Sequence, residues 1–335
     1  MSKFVDILRE KGIADYDAYA FLDTDERLQD NIHLLVFGGS RAYGTNTPTS
    51  DTDIRGIATN SKADILTYND FETIVETETD TVIYSVDKIF KLLADCNPNT
   101  IEILFVRDED IIYADEIGKE ILDNRNLFLS EMCIPKFGGY ANQQLYRLQQ
   151  KTLSALTESE YKQHIAKVIQ NMKLHLKESY GVDSISASFD DENGLVVTLE
   201  KDTIPMDKLC GVLNEVYNVY KEYTKNSKRN EKALAHNKIT KHAMHLIRLY
   251  IMANELLTTG TVHTYRDAEH DLLMSIRNGD YSDGDMMSEK FFDLLRDYEA
   301  KFEDAKLNSV LPKRADIIAI ERLRANINET IIIRG

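Results

Sequence analysis

The period of the hydrophobic positions changes several times along the chain, and each change predicts a change of element. Through about Asp30 the chain reads as one or two helices rich in carboxylates. Ile32 to Phe37 (IHLLVF) is then a short apolar run that ends in Gly38-Gly39, the pattern of a buried strand entering a tight turn. Ile54 to Thr59 predicts a second strand, and Thr73 to Ser85 (TIVETETDTVIYS) is rich in threonine and β-branched residues, which favour strands. Val86 to Ala94 has its apolar residues at helical spacing. Asn97-Pro98 starts a further helix, with asparagine as cap and proline tolerated at the first helical position. Ile101 to Val106 is helix or strand, since periodicity alone does not decide a short apolar run. Beyond about residue 130 the pattern is mainly helical, with Leu209 to Tyr223, Thr240 to Leu257 and the C-terminal third as helices. Ser184 to Phe189 and Leu195 to Leu199, separated by DDENG, predict a β-hairpin at about 184–199. The expected organisation is an α/β (α+β) domain over residues 1–130, N-terminal helices included, then a mainly helical domain over residues 131–335.

Composition narrows this picture. A chain of 335 residues is long enough for two modest domains, and its 43% hydrophobic and 29% charged residues are ordinary for a globular protein. No stretch approaches the roughly 20 apolar residues of a membrane span, and MSKFVDILREKG lacks the apolar core of a signal peptide, so a cytoplasmic protein is expected. Cys96, Cys133 and Cys210 lie far apart, which excludes a disulfide framework and a cysteine-rich zinc site. A net charge of −16 argues against broad coating of nucleic acid, DNA included. One basic segment stands out: Lys221, Lys225, Lys228, Arg229, Lys232, Lys238 and Lys241 against Glu222 and Glu231. A solvated helical face is the ordinary explanation, and a surface for a polyanionic substrate is the other.

The segment that carries chemistry is Phe37 to Gly56, FGGSRAYGTNTPTSDTDIRG. A strand ends at Gly38-Gly39, where a missing Cβ lets backbone approach a ligand. Ser40 is expected to cap a short helix whose free N–H groups favour phosphate. Asp51 and Asp53 open the next strand at i and i+2, which puts both carboxylates on one face. Two converging carboxylates beside a phosphate cradle suit Mg²⁺, which takes a few carboxylates plus phosphate oxygens.

Gly-Ser, about ten residues, then Asp-x-Asp after an apolar strand resembles the signature of the DNA-polymerase-β-like nucleotidyltransferases. More narrowly, GGSRAYGTNTPTSDTDIRGI resembles the bacterial and phage family of predicted nucleotidyltransferases that includes the YcgL-like and RNA-ligase-associated (RlaP) proteins. The similarity continues through DTVIYSVDKIFKLLADCNPNTIEILFV and returns in KHAMHLIRLYIMANELLTTG and LLMSIRNGDYS, with the 183–202 region poorly matched. The resemblance implies a small mixed sheet with flanking helices, followed by a helical substrate- or nucleotide-binding domain. It implies Mg²⁺, with Mn²⁺ as substitute, held by Asp51, Asp53 and a third carboxylate on a later strand. Glu76, Glu78 and Asp80 share one face of the Thr73–Ser85 strand, so alternation does not choose among them; the family pattern selects Asp80. Gly38, Gly39, Ser40, Arg41 and Ser50 are the implied nucleotide contacts in the first motif.

A second set lies on the later helix. Lys241, His245 and Arg248 sit at i, i+4 and i+7, one narrow face suited to a triphosphate. Glu255 lies on the same stripe, so a salt-bridged face competes with that reading. Arg277-Asn278-Gly279 matches the family too, and a helix end with a glycine cap explains it structurally. Asn97 and Glu102 are explained by a helix cap and a buried polar contact, and Arg266 has a neighbour in Asp267.

The expected reaction moves an NMP from an NTP, ATP by default since no base reader is identifiable, to an acceptor hydroxyl with release of pyrophosphate. RNA or tRNA is one acceptor; a protein or small molecule is the alternative. A nucleotide-binding regulator that no longer turns over is the third reading.

Overall fold

The computed structural model describes residues 3–13, 15–67, 69–154, 166, 169–170, 172–173, 176–177, 185–190, 194–199, 206–225, 236–284 and 286–334. The middle of the basic segment, with Lys228, Arg229 and Lys232, lies outside them.

Helices α1 (Lys3–Glu10) and α2 (Phe21–Thr24) precede strand β1 (Ile32–Phe37), whose six residues are all buried. A four-residue helix α3 (Gly39–Ala42) and a loop lead to β2 (Ile54–Ala58), then α4 (Lys62–Thr67), β3 (Thr73–Glu76) and β4 (Thr81–Ser85). The β-rich stretch is therefore a hairpin, not one strand: Glu76 pairs with Thr81, and Thr77–Asp80 form the turn. Asp80 adopts φ +45° there, a left-handed conformation that aspartate tolerates better than most residues. This corrects the shared strand face expected for Glu76, Glu78 and Asp80.

Helices α5 (Val86–Ala94) and α6 (Pro98–Leu104) follow; Ile101–Leu104 are helical, capped by Asn97, whose side chain accepts from the Asn99 N–H. Strand β5 (Ile111–Ala114) closes the sheet, which the apolar pattern did not predict, since it is four residues long. The order is β3-β4-β2-β1-β5. β2 runs parallel to β4 and the other pairings are antiparallel, so the sheet is mixed. Its core joins Leu35, Phe37, Ile54, Ala58 and Ile83 to Phe4, Leu8 and Leu22 of the N-terminal helices.

The rest is mainly helical: α7 (Glu116–Asp123), α8 (Cys133–Ser154), α9 (Met206–Lys225), α10 (His236–Thr259), α11 (His270–Asn278), α12 (Glu289–Leu307) and α13 (Ile317–Arg334). The expected hairpin is present as β6 (Ile185–Asp190) and β7 (Gly194–Leu199), paired antiparallel.

Two compact units form, divided elsewhere than at residue 130. The first comprises 1–145, 240–282 and 288–335, and the second 146–239 and 283–287. The C-terminal helices belong with the sheet because their polar and backbone groups bond to it and its flanking elements. The Arg266 N–H donates to the Tyr43 carbonyl at 3.2 Å, the Glu131 N–H to the Pro312 carbonyl at 2.8 Å, and Arg324 pairs with Asp87 at 3.1 Å. Cys96 and Cys133 are buried free thiols, and burial raises both pKa values. Among the described residues no helix is long and apolar enough to cross a membrane.

Candidate active site

The site is built on the turn after β1. The Gly38 N–H donates to the Asp53 carbonyl at 2.9 Å, which ties the start of the turn to the residue before β2. Gly39 has φ +54°, and a Cβ there would fall onto Asp53 Oδ2. Glycine is needed at this position because the carboxylate occupies the space a side chain would take. Ser40 does not cap α3: the helix begins at Gly39, Gly38 is in the cap position, and the Ser40 carbonyl instead accepts the Thr45 N–H at 2.8 Å. The Arg41 guanidinium lies 4.0 Å from the centre of the Phe37 ring.

The carboxylates form a pair and an outlier. Because β2 and β4 are parallel with Ile54 opposite Thr81, Asp53 and Asp80 stand side by side at the entrance to neighbouring strands. A hydrogen bond between the two carboxyls contributes to their opposite pKa shifts. Burial, then that bond and the Asp80 charge, push the Asp53 carboxyl up to about 7, against the pull of Arg55 and Lys241. The bond from Asp53 holds Asp80 below its usual range, helped by Arg55 and opposed by partial burial. Arg55 Nη2 lies 3.4 Å from Asp80 Oδ1 and 3.7 Å from Asp53 Oδ1, and its Nη1 also bonds the Asp80 carbonyl. Asp51 is exposed and apart from the pair; among the described residues no three histidine, cysteine or carboxylate side chains are gathered as a metal cage. Tyr19 steadies the intervening residue by donating to the Thr52 carbonyl at 3.2 Å.

Two acceptor-only groups held together at the cost of a retained proton are a donor set that a divalent cation would relieve. Mg²⁺ needs only one or two protein carboxylates when phosphates complete its shell. Asp53 and Asp80 fit that requirement.

The helical stripe runs inward from this pair and changes character as it goes. Lys241 is exposed, and its charge lowers both Asp53 and Asp80. His245 is half-buried, its ring centre 6.2 Å from that of Tyr43. Burial first, then the charges of Arg248, Lys241, His242 and Arg277, drive its pKa well below the usual value, so it is neutral at pH 7. Arg248 is 4% exposed and pairs with Glu102 at 2.5 Å, its guanidinium 3.6 Å from the Tyr43 ring centre. The Tyr43 hydroxyl donates to the other Glu102 oxygen. Among the described residues the expected triphosphate face thus has one cation without an ion pair, Lys241, since His245 is neutral and Glu102 cancels Arg248. Glu255 is also engaged, by Arg266 and His263.

Two residues complete the site that the motifs did not assign. Arg55 follows Asp53 by two along β2, and strand alternation carries the signal: it projects to the same face. Arg277, near the end of α11, bonds the Thr45 carbonyl and reaches Ser50 Oγ at 3.5 Å, bracing the loop just before Asp51. No local pattern could reveal that contact across the chain. The glycine cap expected after this helix is present, with Gly279 at φ +97°. Ser50 Oγ also accepts the Thr47 N–H at 2.8 Å, so the serine shapes the loop.

Two cavities open near the turn. One, of about 220 Å³, is lined by Gly38, Gly39, Arg55, Tyr84, Asn99 and Glu102 among others. The other, of about 880 Å³, is lined by Asp15, Tyr19, Ser50, Asp51, Glu78 and Asp80 among others.

Residues 15–172 match the family model described as the RNA repair pathway DNA polymerase beta family, RlaP. An uncharacterized 38.9 kDa protein of the nrdC-mobD intergenic region of Enterobacteria phage T4 is 30% identical over 135 residues, covering 36% of this chain and 40% of that protein. The chain thus spans less than half the length of that relative. No solved structure matches.

Proposed function

On the premise that residues 15–172 belong to the RNA repair pathway DNA polymerase beta family, we propose that the chain transfers an NMP from an NTP to an acceptor hydroxyl. The observation that carries this reading is the Asp53–Asp80 pair packed against the Gly39 turn, with Asp53 retaining its proton up to about 7. Asp53 and Asp80 would hold Mg²⁺, or Mn²⁺ in its place, and Asp51 could join them from the loop. When bound, the cation neutralises phosphate charge and makes the acceptor hydroxyl more acidic. Backbone N–H groups at Gly39 and Ser40 bind the phosphates, and Lys241 adds charge on the exposed side. The acceptor oxygen bonds to the α-phosphorus, its proton passes toward the carboxylates, and the bond to the β-phosphate breaks to release pyrophosphate.

An RNA is the acceptor this family description favours. The cavity beside Asp51 favours a second reading, a small or cationic acceptor: Asp15, Asp51, Glu78 and Asp80 line it, and among the described residues its lining includes no lysine or arginine. Such a wall repels a polyanion. The test is incubation with each α-labelled NTP and Mg²⁺ against RNA, protein and small-molecule fractions. Label in RNA that is lost with Asp53→Asn supports the first reading, and label in small molecules the second. Mg²⁺-dependent NTP binding with no labelled product would mean a regulator that no longer turns over.

A further inference from the structure

Helix spacing assigns triphosphate binding to Arg248, yet that side chain is buried and its charge is cancelled by Glu102. Arg277 is in the opposite condition. Its two contacts are neutral, the Thr45 carbonyl and the Ser50 hydroxyl. Among the described residues no carboxylate lies within ion-pair distance of it. It is half-buried, and burial without a counter-ion pulls its pKa down. A guanidinium desolvated and left unpaired gains from an incoming anion. Its position supplies the anion's address. It braces the loop that delivers Ser50 and Asp51, and its charge is felt at His245 beside Lys241.

We infer that Arg277 binds the β- and γ-phosphates of the NTP, together with Lys241, in the role that sequence spacing gives to Arg248. This rests on the nucleotidyltransferase reading. On nucleotide binding, two of the guanidinium donors continue to hold the loop while the others face the phosphates, so loop order and phosphate recognition act through one side chain. His245, which feels the charges of both Lys241 and Arg277, has its own pKa driven well below the usual value and adds no charge at pH 7.

Removing Arg277 also loosens the loop, so the readout must separate charge recognition from loop order. The best-bound of the four NTPs is identified by calorimetry in Mg²⁺, and the matching NDP and NMP are then titrated into wild type, Arg277→Gln and Arg277→Lys. Wild-type affinity is expected to climb with each phosphate. Arg277→Gln should weaken the triphosphate roughly tenfold, the loss of one charge-assisted contact, and leave the monophosphate nearly unchanged; Arg277→Lys should recover part of the loss. An equal loss for all three nucleotides, or none for the triphosphate, overturns the assignment while leaving the enzyme reading intact. Failure of wild type to bind any NTP overturns both.

Discussion

Two charge clusters flank the Gly39 turn, and they differ in how their charges balance. The inner one, Glu102, Arg248 and Tyr43, is buried and closed. One carboxylate meets one guanidinium, and the tyrosine hydroxyl fills the remaining oxygen. Only Arg248 Nε lacks a partner. The outer one, Asp53, Asp80 and Arg55, sets two carboxylates against one guanidinium, and burial first, then the bond to Asp80 and its charge, leave a proton on Asp53. A balanced buried cluster fixes a shape; an unbalanced one at a cavity mouth is ready for a cation. The same residue types serve both, so the distinction lies in count and burial.

The largest effect that separates the clusters is on stability. Arg248→Ala should cost about 3–5 kcal/mol in urea denaturation, because Glu102 is left charged in the interior, whereas Glu102→Gln with Arg248→Met should recover most of that loss. Wild-type stability in Arg248→Ala would erase the contrast. Next comes chemistry: Asp53→Asn should fold normally yet lower NMP transfer by roughly a hundredfold or more, and activity within about twofold of wild type would remove Asp53 from the site. Gly39→Ala should cost about 1–2 kcal/mol for its left-handed backbone. It should also displace the Asp53 carboxylate and so abolish Mg²⁺-dependent nucleotide binding, which a calorimetric titration reads directly.

The smallest effect is in pH. An unfolded aspartate releases its proton near 3.9, while native Asp53 keeps its proton to about 7. Between those values the native state binds more protons, so this group's contribution to stability falls as pH rises and is lost above about 7. Asp80, with its pKa lowered, has the opposite sign: its contribution is present above the unfolded value and lost on acidification. Asp53→Asn removes the first of these. Its Tm relative to wild type, without divalent cations, should therefore rise by the order of a few degrees from pH 5 to pH 8. A flat difference would show that Asp53 is ionised throughout.

Much of this was legible in the chain, for local reasons. The run IHLLVF gives β1 residue for residue, since a continuous apolar stretch closed by two glycines is compatible with little else. The Asn97 cap and the 184–199 hairpin follow from short-range hydrogen bonding and alternation. TIVETETDTVIYS reads as one strand because nothing in its composition marks Thr77–Asp80 as a turn; the pairing of Glu76 with Thr81 makes it a hairpin.

The sequence by itself determined the turn, the flanking strands and the carboxylates that enter them, because those depend on spacing along one segment. Tertiary structure decided which charges are free. Lys241, His245 and Arg248 share a helical face, but burial neutralises the second and Glu102 cancels the third. Arg277 reaches Ser50 from 227 residues away in the chain. Spacing fixes direction from a helix axis, whereas desolvation and partner charge belong to whatever packs against that face.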